Sequence, residues 1–360
     1  MKTVLILANA STGVYDFRNE LMLALLKKYK VVVSVPDELC IRELEAEGCE
    51  IIHTPLDRRG MNPKKDAGLF LSYGRLLKEV KPDLVLTYTI KPNIYGGFAC
   101  RWQKIPYITT ITGLGSAFQK NGLLKSMIIR MYRMGLRGAE CVFFQNSQNR
   151  NIFRGYKITG KKDKLVSGSG VNLEVHHAEE YPVDETTRFL FVGRIMKEKG
   201  IEELLAAAKA LHGENVSFEL LGYCDDDYQE LLDAYESQGI IIQHGFHTDV
   251  QPFLKQASAL ILPTYHEGMS NVLMEASASA RPVIASNISG CKEIFEEGVT
   301  GFGCEPENAE SLIQAIRKFL KLTVEERVQM GIAARRKMEK EFDRRLVTAS
   351  YMEEIDRFLA

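Results

Sequence analysis

Short runs of consecutive apolar residues alternate with amphipathic stretches along almost the whole chain. That alternation predicts parallel strands buried on both faces, each followed by a covering helix. In the first half, residues 2–9, 31–36, 50–53, 83–88, 106–110 and 141–145 read as strands. Helical spacing predicts helices at roughly 15–28, through residue 47, over 65–80 and from about residue 95. In the second half, strands at 189–193, 216–222, 240–243 and 259–263 alternate with helices at 200–212, 228–238 and 250–257. Residues 309–360 read as helices with charged faces. The glycine-containing polar segment SGSGVN (167–172), running on through Tyr181-Pro182, separates the two series as a linker. The prediction is an α/β protein of two doubly wound domains, 1–168 and 169–344.

Composition narrows the class without changing the picture. The chain has 360 residues, 45% hydrophobic and 26% charged, a globular composition long enough for two domains of ordinary size. No apolar run reaches membrane-spanning length, and MKTVLILANA is too short and strand-like for a secretory signal. Seven scattered cysteines without a CxxC pair read as reduced core residues of a cytoplasmic protein. The histidines show no HExxH spacing, so no metal site is expected. Net charge is −1, yet Lys and Arg dominate up to about residue 180 and Asp and Glu beyond it. Two halves of opposite sign suggest different partners. No aromatic-rich basic motif or zinc finger supports nucleic acid among them.

Two stretches carry candidate chemistry. The first, HEGMSNVLMEASASARPVIAS at 266–286, follows a strand with Glu267 and Gly268. It runs through the capping types Ser270 and Asn271 into a helix whose apolar face is Val272, Leu273, Ala276 and Ala280, with Glu275 one turn inside. Open α/β sheets bind ligands at the carboxyl ends of their strands. A helix N-terminus there suits a phosphate, and a carboxylate suits sugar or ribose hydroxyls. The second, FVGRIMKEKG at 191–200, puts Arg194 and Lys199 at another strand end, where two cations neutralise charge building on a diphosphate. Each residue alone reads equally as an ordinary solvated charge; the pairing of the two motifs carries the inference.

Three other features are weaker. Gly113-Leu114-Gly115 with Phe118 resembles a dinucleotide fingerprint, but its third glycine is missing and it follows the wrong strand, so a nicotinamide cofactor is rejected. Asp225, Asp226 and Asp227 could chelate a divalent cation, though N-capping the helix that follows explains them more simply. Between residues 121 and 140, Leu123, Leu124, Met127, Ile128, Met131 and Leu136 share a helix with Lys125, Arg130, Arg133 and Arg137. It reads either as a core helix with solvated arginines or as an interfacial helix for anionic lipid headgroups.

The residues EGMSNVLMEA, with a glutamate at each end of a seven-residue gap, and Gly193-Arg194 with Lys199-Gly200 resemble the signatures of glycosyltransferase family four, a retaining family of GT-B fold. The resemblance covers nearly the whole chain. It implies two Rossmann-like domains with parallel sheets facing a central cleft: an N-terminal acceptor domain, to which a C-terminal helix at about 345–360 returns, and a C-terminal nucleotide-sugar domain. It implies that Glu267 contacts donor-sugar hydroxyls and that Gly268, Met269, Ser270 and Asn271 offer backbone N–H groups. Glu275 would hold the ribose, with Gly193, Arg194 and Lys199 at the nucleotide diphosphate. No metal is implied, and the product linkage from a UDP-sugar would be α.

The first half, through NASTGVYDFR (9–18), TIKPNIYG (89–96) and TGLGSAF (112–118), is similar to bacterial transferases that extend lipid-linked glycans or build capsular repeat units. Gly13 would then approach the donor phosphate, and Lys91, Asn93, Thr112 and Gly113 the acceptor. Ile90 and Thr112 stand where several relatives carry a histidine or glutamate, leaving the general base unassigned. The implied partners are a nucleotide sugar, a lipid-linked glycan and, through the basic helix 122–137, an anionic membrane surface, with the protein peripheral on the inner face of the cell membrane. Two other classes fit the same architecture: a nucleotide-sugar epimerase or glycoside-processing enzyme, and a non-catalytic sugar-nucleotide-binding subunit.

Overall fold

The computed structural model describes residues 1–57, 62–114, 122–224 and 228–359. Arg58, Arg59, the second half of the glycine turn (115–118) and the three aspartates 225–227 lie outside the described residues. The chain forms two compact units, residues 1–169 together with 344–360, and residues 170–343.

In the first unit seven parallel strands lie in the order β3-β2-β1-β4-β5-β6-β7. They are β1 (Thr3–Leu7), β2 (Lys30–Val35), β3 (Glu50–His53), β4 (Leu84–Tyr88), β5 (Tyr107–Ile111), β6 (Cys141–Phe144) and β7 (Asp163–Leu165). The strand period of two splits the apolar residues of β1 between layers. Val4 and Ile6 face a core shared with α1 (Ser11–Leu26), whereas Leu5 and Leu7 face one shared with α3 (Pro63–Val80), α4 (Gly97–Gln103) and α5 (Leu123–Leu136). Helices α2 (Ile41–Glu47) and α6 (Ser147–Gly155) complete the crossovers. The final helix, α13 (Arg344–Leu359), seals the first layer through Val347, Tyr351, Ile355 and Leu359, one residue per turn. Tyr351 stacks on Phe143 at 4.1 Å and bonds the Thr110 hydroxyl at 2.7 Å.

The second unit repeats the plan with six strands ordered β10-β9-β8-β11-β12-β13. These are β8 (Thr187–Val192), β9 (Val216–Leu221), β10 (Ile242–Gly245), β11 (Ala259–Leu262), β12 (Val283–Ser286) and β13 (Gly301–Cys304). Between them run α7 (Ile201–Ala210), α8 (Gln229–Ser237), α9 (Gln251–Gln256) and α10 (Asn271–Ala278), and α11 (Ala309–Leu320) and α12 (Val324–Lys337) follow. Arg281 is fully buried within this unit, its guanidinium donating to backbone carbonyls that include those of Leu254, Lys255, Glu179 and Glu180. It thereby ties the segment entering the unit to the end of α10. In each sheet the strand order reverses between the first strand and its neighbour, β1/β4 in one and β8/β11 in the other. Ligands bind at such reversals.

Several local expectations are corrected. Helix α1 starts at Ser11 rather than near residue 15, because the Asp37 carboxylate accepts from the Ser11 N–H and hydroxyl and caps the helix from a distant loop. A π-type turn at Pro92–Gly96 precedes α4. Ala280 lies beyond the end of α10 in the left-handed region (φ 55°), so it is not part of that helix's apolar face. Strands β7 and β13 and helix α6 were not predicted; each is short, and β7 carries only charged residues and one leucine. On α5 the buried residues are Ile128, Ile129, Tyr132, Gly135 and Leu136, while Leu123, Leu124, Met127 and Met134 are exposed. The predicted single apolar stripe is thus divided between core and surface. Among the described residues the cysteines form no disulfide. Among the described residues no helix is long and apolar enough to cross a membrane.

Candidate functional site

At the sheet reversal of the second unit, two loops meet. One leaves β8 at Gly193, whose N–H donates to the Leu221 carbonyl at 3.0 Å, and passes Arg194 into a 3-10 turn, Lys197–Lys199. The other leaves β11 at Pro263 and carries Glu267 and Gly268 to the start of α10. The two loops are joined directly. The Tyr265 N–H donates to the Glu198 carbonyl at 2.9 Å, and the Thr264 hydroxyl donates to the same oxygen at 3.1 Å. Gly200 adopts φ +74°, and a Cβ there would lie 2.0 Å from the Pro263 carbonyl, so no side chain fits between the loops.

This crossing brings together the two motifs that the sequence separates by about seventy residues. Lys199 Nζ donates to Glu267 Oε1 at 2.5 Å, with the lysine 22% and the glutamate 13% exposed. A half-desolvated ion pair of this kind can trade partners: the ammonium can turn to an anionic ligand while the carboxylate accepts from a hydroxyl. Arg194 is half-buried on the same loop. Behind the pair, the buried Cys291 thiol is raised well above its ordinary value, first by burial and then by the Glu267 charge, so it remains an inert thiol.

Helix α10 starts at Asn271 with Ser270 as its N-cap, but the Ser270 side chain makes no capping hydrogen bond. The expected serine cap is therefore absent. Ser270 is instead fixed through its backbone, its N–H donating to the Gly290 carbonyl at 2.9 Å. Gly290 was not anticipated. It lies at φ +91°, and a Cβ there would fall 2.8 Å from the Gly268 carbonyl and 2.9 Å from Glu267 Cβ, so it sets how the 267–268 backbone lies. The Glu293 carboxylate holds that turn by accepting from Gly290 N–H at 2.7 Å and the Ser289 hydroxyl at 2.8 Å. The only signal in the sequence was a Ser-Gly pair just past a strand. Met269 is buried beneath the loop, and Glu275 is half-buried one turn into α10.

Beside Gly193 the carboxyl ends of β9 and β10 enclose an open hollow of about 420 Å³, lined among others by Ile195, Gly222, Tyr223, Gly245 and Phe246. Tyr223 and Phe246 face each other edge-on at 6.1 Å and are 48% and 64% exposed. Among the described residues no cluster of His, Cys, Asp or Glu is disposed to hold a metal ion.

In the first unit the equivalent reversal is furnished differently. Gly13 lies in the first turn of α1 with nothing within 4 Å of a Cβ position, and its carbonyl accepts from Arg18 at 2.6 Å. The anion-binding end of α1 already holds the Asp37 carboxylate. After β4, Thr89 takes φ +70°, a strained conformation for a β-branched residue. Lys91 follows, paired with Asp66 at 2.8 Å with both side chains nearly buried. Asn93 is buried; its amide donates to the Thr110 carbonyl at 2.8 Å, and among the described residues its own oxygen has no hydrogen-bond partner. Thr112 and Gly113 are half-buried in the loop after β5.

Comparison with known proteins converges on one enzyme class. Residues 174–337 match the family model "Glycosyl transferases group 1", and residues 3–146 match "Glycosyl transferase 4-like". The chain is 24% identical over 98% of both lengths to the N,N'-diacetylbacillosaminyl-diphospho-undecaprenol alpha-1,3-N-acetylgalactosaminyltransferase of Campylobacter jejuni. It is 25% identical over 85% of both chains to the capsular polysaccharide biosynthesis glycosyltransferase CapM of Staphylococcus aureus. Among solved structures it resembles Anabaena HepE in complex with UDP-glucose, with TM-score 0.81 and 16% identity, covering 99% of this chain and 100% of that one. A Rickettsia africae glycosyltransferase matches with TM-score 0.79 and 20% identity, over 99% and 98% of the two chains.

Proposed function

The chain belongs to the group 1 glycosyltransferases, with a 4-like domain in its first half, and from that premise we propose that it moves a sugar from a UDP-sugar to a polyprenyl-diphosphate-linked saccharide, with retention of anomeric configuration and without a metal. The observation that carries this reading is the Lys199–Glu267 pair at the β8/β11 reversal, beside the α10 N-terminus.

The chemistry follows from those groups. Lys199 and Arg194 act as fixed cations for the diphosphate as it departs, in place of a metal ion. Glu267 accepts hydrogen bonds from the donor sugar. The backbone of Gly268, Met269, Ser270 and Asn271 lines the donor, Glu275 takes the ribose, and the Tyr223–Phe246 hollow takes the base by stacking. Because Lys199 and Glu267 hold each other, an incoming donor replaces one contact with two, a diphosphate on the ammonium and a hydroxyl on the carboxylate. Lys91, Thr112 and Gly113 serve the acceptor, Asn93 shapes the loop that carries Lys91, and Gly13 faces the donor phosphate.

Acceptors of this class are anchored in a membrane, and α5 offers a surface for one. Its exposed face mixes Leu123, Leu124, Met127 and Met134 with the exposed arginines Arg130, Arg133 and Arg137. Apolar groups that enter the headgroup boundary, interleaved with cations, suit an anionic leaflet. That surface supports a peripheral location on the cytoplasmic face of the membrane. The C. jejuni relative's name, which includes a diphospho-undecaprenol, supports the same acceptor class.

The test is product analysis after incubation with UDP-sugars and a short-chain polyprenyl-diphosphate saccharide. A lipid product one sugar heavier, with an α anomeric proton, is expected. A β anomer would refute retention. A product formed only on a soluble sugar would keep the transfer and remove the lipid acceptor.

A further inference from the structure

Just outside the donor site lies a buried contact between Tyr265 and Glu203 that the proposed chemistry does not use. Glu203 is the third residue of α7 and only 9% exposed. A buried carboxylate needs partners, yet among the described residues its one hydrogen-bond partner is the Tyr265 hydroxyl, 3.0 Å from both carboxylate oxygens. Tyr265 is itself buried. Burial, and then the Glu203 hydrogen bond, raise the phenol well above its ordinary value, so it stays a donor throughout the neutral range.

The placement of this contact gives it a consequence. Tyr265 lies two residues before Glu267, and Glu203 lies four residues after Lys199. The side-chain bond therefore closes the far side of the loop crossing, whose near side is the bond from Tyr265 N–H to Glu198 O at 2.9 Å. The first loop is thereby fixed at Glu198 and Glu203, on either side of Lys199 in the sequence, and the second at Thr264 and Tyr265, just before Glu267. Resting on the function proposed above, we propose that Tyr265 and Glu203 are positioning residues: their hydrogen bond holds the 263–268 loop against the 197–203 turn and so sets Lys199 and Glu267 for the donor. Neither side chain touches the donor. Their effect passes through the two charged groups.

Three measurements test this. The first does not depend on activity. In the Tyr265→Phe variant, amide hydrogen exchange should quicken in both the 197–200 and 263–268 segments and stay unchanged in the first unit. Unchanged protection in those two segments overturns the clamp, whatever the enzyme does. The second is kinetic. Tyr265→Phe should lower kcat by roughly 10- to 100-fold, the scale of a small misplacement of catalytic groups, with KM for the donor much less affected. In a Lys199→Ala background the same change should cost less than about 2-fold, because groups acting through one another are not additive. Equal losses in both backgrounds would mark a merely structural role and overturn the proposal. The third is rescue: Glu203→Gln keeps an acceptor for the phenol and should recover most of the turnover lost in Glu203→Leu. If the wild-type chain transfers no sugar, the functional reading fails while the exchange result still decides the clamp.

Discussion

Lys199 and Glu267 set the energetics at the residue scale. Their 2.5 Å contact joins two charges of opposite sign at low exposure, so removing either one leaves the other without its partner. Lys199→Ala and Arg194→Ala should each lower kcat by about 10²–10³-fold, the usual cost of losing one group that stabilises developing negative charge. Affinity for the intact donor, measured by calorimetry with the UDP-sugar in the absence of acceptor, should fall far less than turnover, since on this mechanism the cations act mainly on charge that develops as the diphosphate departs. Wild-type turnover in both variants would remove them from the chemistry. These residues were legible in the sequence because strand, glycine, basic residue and spaced glutamates recur within short windows. Gly290 was not, because its role comes from lying 2.8 Å from a carbonyl in a loop more than twenty residues away. Tyr265 and Glu203 were hidden for a related reason: a tyrosine in a loop and a glutamate in a first helical turn are both locally ordinary.

Among the elements, α5 shows what periodicity settles and what it leaves open. A helix was predicted there correctly, but the spacing fits two faces. Packing decides between them: Gly135 lies so near the Pro92–Gly96 turn that a Cβ would meet Ile94 at 2.7 Å. That contact buries Ile128, Tyr132 and Leu136 and turns Met127, Arg130, Met134 and Arg137 outward. Replacing Lys125, Arg130, Arg133 and Arg137 by glutamine should weaken binding to anionic vesicles by up to about 10³-fold, at roughly 1 kcal/mol per basic residue near the surface, without changing the thermal transition. Trp102, the only tryptophan in the chain, is 75% exposed on α4, where the adjacent Arg101 donates to the Met134 carbonyl of α5 at 3.0 Å. Its fluorescence should shift to the blue on vesicle binding. Unaltered vesicle binding in the four-fold variant would leave α5 as a core helix with solvated arginines. Strands β7 and β13 escaped prediction because neither shows an apolar run, β7 being DKL and β13 alternating glycine with Phe302 and Cys304; their pairing is dictated by the neighbouring strands β6 and β12.

In the whole molecule, the chain leaves its first unit, builds a second, and returns as α13. Ion pairs help to hold that return. Glu354 is buried, with Lys162 at 2.5 Å and Lys164 at 2.6 Å. Burial alone would raise its carboxyl, but the hydrogen bonds and charges of the two lysines outweigh it and hold the group below the usual glutamate range. A carboxyl depressed on folding contributes stability above its unfolded value and loses it as pH falls through the folded one. Glu354→Gln should therefore lower the melting temperature of the first unit near neutral pH, and its gap from wild type should close as pH falls below the usual glutamate range. A gap that does not change with pH would assign the loss to packing alone. The doubled α/β plan was legible from alternating runs, since strands buried on both faces leave continuous apolar stretches. The strand order was not, because pairing across β1/β4 and β8/β11 joins residues far apart in sequence.

The central claim is transfer of a sugar from a nucleotide donor to an acceptor, and nucleotide release tests it most directly. UDP- and GDP-sugars would be offered in the presence of a chelator, with and without a short-chain polyprenyl-diphosphate saccharide. The account predicts UDP release that requires the acceptor, survives the chelator and is lost in Lys199→Ala. Isomerised donor, or nucleotide released equally without acceptor, would contradict it.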